Sequence, residues 1–340
     1  MISKTGAALM LALALAACLP ACAVDASDAD SFYRSQLDDN GLAVYDAVSA
    51  RVSSTEHSLD MSVEFPTPVL QSTAESAEKY AVQAVNAALA ALYYDSPLLI
   101  WLWDLPLKTV DVSVSTEKAV LSGDGKEYYI AVSVSFTLES PSRYSGTPVQ
   151  DAMRQVEDAC SGLIYSGNDA EKAKSIYRHL SGVSSKQDAE GEISDIHDAV
   201  CGKSSSSAGV AAAFTYIAAK NGLGACTVKG LSYSDFSDGV DRYWNSVLSG
   251  GSWYAVDVGE GFVMAGSGTK EGGDVFGSTH VASLDMKSPN GLRAPDLARA
   301  GYEYLDETPF FQRYGAYVLV GVMSAIVVAM LYVGVRNGSA

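Results

Sequence analysis

Ser207-Ala208-Gly209-Val210-Ala211-Ala212-Ala213-Phe214, running on to Lys220 and closed by Asn221-Gly222, is the stretch that decides the fold. Its alanines and large apolar residues predict a strong helix over 208–220. Ser207 is the natural N-cap, because its oxygen can satisfy an orphan N–H of the first turn, and Asn221-Gly222 reads as the stop. A loop, Gly202-Lys203-Ser204-Ser205-Ser206, leads into it. Three short strand signals follow at 225–231, 243–248 and 253–258, the last two joined by the hairpin turn Ser249-Gly250-Gly251-Ser252. A loop, a helix N-terminus and antiparallel strands predict an α+β unit with the helix packed on the sheet.

Upstream, further helical segments are expected at 149–163 and 169–181, with a short piece near 193–200. Ser140–Pro148, with two prolines and a glycine, reads as a linker. Before it lies a smaller α/β domain. Its predicted elements are a helix over 31–53 broken at Gly41, an alternating strand at 58–65, an Ala-rich helix at 74–94, and a hairpin of 109–119 with 127–138 around Gly123-Asp124-Gly125. In the second hairpin strand, alternation puts Tyr128, Ile130, Val132, Val134 and Phe136 on one face. The run from Ser96 to Pro106 is too short to span a bilayer and reads as a buried strand or hydrophobic corner.

The chain ends set a topology. Tyr314 to Val335 holds no charge and no proline, about the length a bilayer-crossing helix needs. Tyr314, Tyr317 and Tyr332 sit near its edges, and Arg336 marks the cytoplasmic side. Lys4 precedes an apolar stretch from Gly6 to Ala17, the pattern of a secretory signal. Two exits stay open. Leu15-Ala16-Ala17-Cys18 resembles a bacterial lipobox that would put a lipid on Cys18, with a weaker copy ending at Cys22, and Ala21-Cys22-Ala23 fits ordinary cleavage. The expected layout is a signal at 1–23, an N-terminal α/β domain at 24–145, a core at 146–260, an extension with a juxtamembrane segment at 261–313, a span at 314–335 and a cytoplasmic tail at 336–340.

Composition narrows the partners. Taking Lys4 and Arg336 from the 23 basic residues leaves 21 against 40 acidic ones, so the segment between the ends carries −19. That argues against nucleic acid and anionic membrane surfaces. Cys160, Cys201 and Cys226 are scattered without CxxC spacing, and His57, His179, His197 and His280 show no ligand spacing, so no metal and no cofactor are expected. One disulfide among the three cysteines is open in an oxidising compartment.

The motifs around the deciding helix resemble the transglutaminase-like superfamily, of papain-like fold, and especially its exported bacterial branch. That branch carries a nucleophile in a pattern like C-x-G-(Y or F)-x-x-A-F, then a helix-ending glycine. Here Ser207-Ala208-Gly209-Val210-Ala211-Ala212-Ala213-Phe214 and Gly222 align without a gap. Ile196-His197-Asp198-Ala199-Val200 resembles the lead-in, while Arg242-Tyr243-Trp244-Asn245 and Trp253-Tyr254-Ala255-Val256-Asp257 resemble H-A-W-N and W-Y-x-V-D. Leu37-Asp38, Gly41, Ala43, Tyr45 and Tyr94-Asp95-Ser96-Pro97 match more loosely. The resemblance implies a Cys–His–Asp triad, with a thiol activated at a helix N-terminus and a His oriented by a carboxylate. Position by position the triad reads Ser207, Arg242 and Asp257.

Only the Asp matches. A Ser hydroxyl needs a general base, and Arg cannot be one, since it has no acceptor and stays protonated. Arg242 and Asp257 make sense as an ion pair in place of His and Asp. Cys201 lacks the register, Lys203 sits in a solvated loop, and His280 would have to swing in from a later segment. The expectation is therefore a membrane-anchored, extracytoplasmic pseudoenzyme binding a surface or cell-wall protein or peptide, with Trp244, Asn245 and Tyr254 beside the cleft. The alternative is an active Ser-dependent peptidase or acyltransferase on such peptides. A third reading is a structural subunit of a membrane complex acting through Gly301–Tyr314 and the span.

Overall fold

The structure, a computed structural model, describes residues 31–51, 57–106, 109–120, 126–144, 149–187, 192–233, 238–284 and 291–304. The signal, Cys18, the span at 314–335, the tail and the turn at 123–125 lie outside the described residues. Among the described residues no helix is long and apolar enough to cross a membrane. Those up to Tyr302 belong to one compact unit, and Glu303 and Tyr304 to a second.

The first helix, α1, spans Asp39–Ser49. It starts later than the periodicity suggests because Asp38 caps it, accepting from the Gly41 N–H at 2.8 Å. Gly41 therefore lies inside the first turn rather than at a break. The segment before it is a single 3₁₀ turn, Arg34–Gln36. Strand β1, Ser58–Glu64, alternates buried and exposed as expected. Helix α2, Ala74–Asp95, buries Ala81, Ala84, Val85, Ala88 and Leu89. The run after it forms a 3₁₀ corner, Ile100–Leu102, with Ile100 and Trp103 buried.

Strands β2, Val112–Val120, and β3, Glu127–Glu139, pair antiparallel, and β3 lies centrally in the sheet β1-β3-β2. The predicted apolar face of β3 holds only in part. Ser115 pairs with Ser133 but Thr116 pairs with Ala131, so Val132 is an extra residue. The bulge inverts the alternation. Val134 and Phe136 are buried, and beyond the bulge Ala131 is buried while Ile130 is half-exposed.

The expected linker makes structural contacts. Tyr144 is buried and donates to Asp195. Arg143 pairs with Asp195 at 2.9 Å and with Asp198 at 3.1 Å. Burial pushes the Asp195 carboxyl upward, against the pull of the Arg143 charge beside it.

Helix α3, Val149–Cys160, and helix α4, Asp169–Leu180, follow. The short piece expected near 193–200 is a π-turn, Asp198–Gly202, ending with Lys203 in the left-handed region. Two-residue strands β4, Ser184–Ser185, and β5, Ser204–Ser205, pair in parallel. Helix α5 covers Ser207–Lys220, and its N-cap is Ser206, one residue earlier than the sequence suggests.

Strands β6, Ala225–Ser232, β7, Val240–Ser249, β8, Ser252–Asp257, and β9, Phe262–Ala265, form an antiparallel meander. Gly250 and Gly251 both adopt positive φ, as the tight two-residue turn between β7 and β8 requires. After the two-residue pair β10, Lys270–Glu271, and β11, Asp274–Val275, a one-turn helix α6, Phe276–Thr279, leads into β12, His280–Ala282. This strand returns to the far edge beside β6, giving the order β12-β6-β7-β8-β9.

The architecture is mixed α/β, with α5 laid on an antiparallel sheet. One contiguous apolar core runs from Val44, Leu59 and Leu89 to Phe214, Val247 and Val256, so both sheets share it. Tyr33 is fully buried and donates through its hydroxyl to the Thr227 carbonyl, tying the N-terminal segment to β6. Cys160, Cys201 and Cys226 are free thiols.

Candidate functional site

The three triad-equivalent positions converge on one cleft. Ser207 lies in the first turn of α5, Arg242 on β7 and Asp257 at the end of β8, and all three line a cavity of about 220 Å³. Antiparallel pairing places Asn245 opposite Val256, which carries Arg242 and Asp257 to the same end of the two strands.

Arg242 holds Asp257 with both tines of its fork. Nε donates to Oδ2 at 2.8 Å and Nη2 to Oδ1 at 2.6 Å. Asp257 is 1% exposed. Burial on its own would raise its pKa, but hydrogen bonds from His280 and Arg242 and the guanidinium charge overcome this and hold it at about 2. The backbone N–H groups of Gly259 and Glu260 add two further donors to Oδ1. A Cβ at Gly259 would lie 2.4 Å from Arg242 Nη2, so the guanidinium would have to shift from its place on Asp257.

Ser207 does not cap the helix. Its Oγ accepts from the Tyr243 N–H at 3.2 Å. Among the described residues no His or Lys nitrogen hydrogen-bonds it. Lys203 is exposed. Cys201 sits in the π-turn with its thiol pushed up by burial. His280 is buried elsewhere, with Nε2 3.3 Å from Asp257 Oδ2 and 3.3 Å from Glu260 Oε2. Its ring stacks on Phe276 at 4.0 Å, with Trp244 and Phe262 packed edge-on.

The three residues expected beside the cleft have different fates. Trp244 lines the cavity and is 3% exposed. Asn245 also lines it, but its amide is spent on α5, donating to the Ala211 carbonyl and Thr215 Oγ1, each at 2.9 Å. Tyr254 is absent from the cavity wall and packs edge-on against Tyr302, because it points to the opposite face of β8.

Glu260 was not singled out from the sequence, and His280 was weighed only as a base swinging in toward Ser207, not as a partner of Asp257. Ser232 donates to Glu260 at 2.7 Å, which fixes the carboxylate beside the imidazole. The donor atoms of Asp257, Glu260 and His280 lie within 4.8 Å of one another, a set that a divalent cation accepts. Asp257 has both oxygens engaged by Arg242, so a metal ion would have to displace a charged guanidinium. A local signal did exist: Asp257-x-Gly259 is the pattern of a carboxylate turning back onto backbone N–H groups.

No protein-family model matches the chain, and no curated protein matches it. Among solved structures the chain is similar to a transglutaminase, at 13% identity and a TM-score of 0.30, covering 47% of this chain and 48% of that one. It is also similar to a candidate cysteine protease from Cytophaga hutchinsonii, at 10% identity and a TM-score of 0.28, covering 53% and 70% of the two chains. A candidate protease from Parabacteroides distasonis follows at 11% identity and 0.26, covering 47% and 39%. The chain spans about half the length of the transglutaminase it matches.

Proposed function

We propose that this chain is a membrane-anchored, extracytoplasmic transglutaminase-like protein that does not catalyse, and that binds a surface or cell-wall protein or peptide in the cleft at Ser207. The observation that carries this reading is the two-pronged Arg242–Asp257 pair. A guanidinium occupies the place where the resemblance expects a proton acceptor, and it has no lone pair to accept a proton with. The carboxylate that would orient an imidazole at position 242 is shared instead between that guanidinium and His280, and the His280 ring makes no hydrogen bond to Ser207. Ser207 keeps an ordinary hydroxyl whose hydrogen-bond donor is a backbone amide, so nothing in its surroundings activates it.

The anchoring part rests on the apolar run at 314–335 and the signal-like N-terminus. Deleting 314–335 should release the protein from membranes that resist alkaline carbonate. The functional part is tested by incubating the full chain with amine donors, glutamine-containing acceptors and peptide substrates, alongside Ser207→Ala. No turnover above the variant is expected. Turnover that disappears in Ser207→Ala would establish the alternative, a Ser-dependent hydrolase or acyltransferase.

A further inference from the structure

We propose that Asp257, Glu260 and His280 form a zinc-binding site at the end of β8, with the Arg242 guanidinium standing in for the metal ion. The proposal is independent of the non-catalytic reading and concerns the network behind the cleft.

The tautomer of His280 carries the argument. Thr279 Oγ1 lies 3.0 Å from Nδ1 and donates its own hydrogen to the backbone carbonyls of Val275 and Phe276, each at 3.3 Å. A hydroxyl has a single hydrogen, so the oxygen accepts from Nδ1–H, and the neutral ring keeps its lone pair on Nε2. That lone pair faces Asp257 Oδ2 and Glu260 Oε2, each at 3.3 Å. Three acceptor atoms thus converge, all within 4.8 Å of one another, on a point that calls for positive charge. The His280 side chain is 0% exposed and that of Asp257 1%, so bulk water does not answer that call. The charges agree. Asp257 and Glu260 bring two negative charges and Arg242 meets them with one, where a dication balances both.

Distances and donors select the ion. A charge-assisted N–H···O bond closes at about 2.7–2.9 Å, and both His280 contacts are longer. Ligands about 2.0–2.1 Å from a tetrahedral zinc stand about 3.3 Å from one another. An imidazole with two carboxylates suits zinc, whereas calcium takes about 6–8 oxygens. The groups behind the ligands aim them. Ser232 holds Glu260 Oε1 at 2.7 Å, which leaves Oε2 toward the ring, and the N–H groups of Gly259 and Glu260 hold Asp257 Oδ1, away from Oδ2. To admit the ion, Arg242 Nε must leave Oδ2. Its side chain is 20% exposed and lines the cavity of about 220 Å³, into which it can turn.

The test uses the full chain in detergent, stripped with a chelator, and zinc chloride alone, read by calorimetry and thermal unfolding. Wild type should take up zinc at a site that Glu260→Gln weakens at least about tenfold and Thr279→Val, which frees the ring, about tenfold. Arg242→Met removes the competing cation. It should tighten zinc at least about tenfold and show a larger rise in melting temperature at saturating zinc than wild type does. A purely structural network gives Arg242→Met no reason to favour zinc. Glu260 is only partly buried, and its melting transition shows that the Glu260→Gln variant folds. No zinc uptake by wild type or Arg242→Met makes a proton the occupant and overturns the proposal. An affinity unchanged in Glu260→Gln means an adventitious ion only, and overturns it too, as does zinc binding that Arg242→Met fails to tighten. None of these outcomes bears on turnover in the Ser207→Ala comparison, which decides the non-catalytic reading.

Discussion

Replacing Arg242 by methionine isolates the contact on which the site depends. The side chain keeps an unbranched apolar stem and loses its fork, leaving Asp257 buried at 1% exposure with a charge and fewer partners. A carboxyl held at about 2 against an ordinary value of 3.8 corresponds to about 2 kcal/mol. Removing one partner of a buried pair costs about 3–5 kcal/mol when nothing else compensates. Here His280 and the N–H groups of Gly259 and Glu260 stay in place, so the expected loss is about 2–3 kcal/mol near neutral pH. The sign with pH follows from the depressed value. The stabilisation is fully present above about pH 4 and is lost as pH falls toward 2, where folded Asp257 also takes up a proton. Urea unfolding followed by tryptophan fluorescence should therefore show a gap between wild type and Arg242→Met that narrows from about pH 5 to 2. In the double variant Arg242→Met/Asp257→Asn the buried charge is gone, and stability should return to within about 1 kcal/mol of wild type. A loss below about 0.5 kcal/mol in Arg242→Met, or a gap that stays constant through acid, would refute the assignment of Arg242 as the principal partner of Asp257.

Other outcomes follow from the same geometry. Gly259→Ala should push Arg242 off Asp257 and cost about 1–3 kcal/mol by urea unfolding, because its Cβ would meet Nη2 at 2.4 Å. Ser207→Cys/Arg242→His should be alkylated by iodoacetamide about tenfold faster near neutral pH than Ser207→Cys, since an imidazole on Asp257 would hold the thiolate. Of the three thiols past the signal, Cys201 should react first with a disulfide reagent under native conditions. The Cys160 thiol is pushed up to about 11 by burial, and Cys226 is pushed well above its ordinary value by burial.

What was legible in the sequence was what local periodicity determines. The helix expected at 208–220, three of the four meander strands and the tight turn at Gly250-Gly251 follow from neighbours within a few residues, whereas β9 was not expected. The errors arise where a partner distant in sequence decides. The bulge at Val132 is set by how β3 meets β2, and no property of β3 alone announces it. The stretch expected as a linker instead carries Arg143 and Tyr144 to Asp195, about fifty residues on, a contact without local pattern. The cap moved from Ser207 to Ser206 because, in a run of four serines, composition does not choose among them and the Tyr243 N–H claims the Ser207 oxygen.

The site shows the same division with a chemical consequence. The Arg242–Asp257 pair followed from motif spacing, whereas the other half of the network depends on β12 returning to the edge beside β6 and delivering His280 to Asp257. The carboxylate therefore serves two nitrogen partners at once: a guanidinium that is always charged, and an imidazole on Oδ2. The changes at 207 and 242 consequently differ in kind. A cysteine at 207 would place a thiol in the first turn of α5. Restoring a histidine at 242 must also win back Oδ2 from His280 and leave Glu260 without its nearby guanidinium. A single substitution, Ser207→Cys or Arg242→His, leaves the proton without an acceptor or the acceptor without a thiol. Even the double substitution competes with a buried imidazole that the fold holds in place through Phe276 and Trp244.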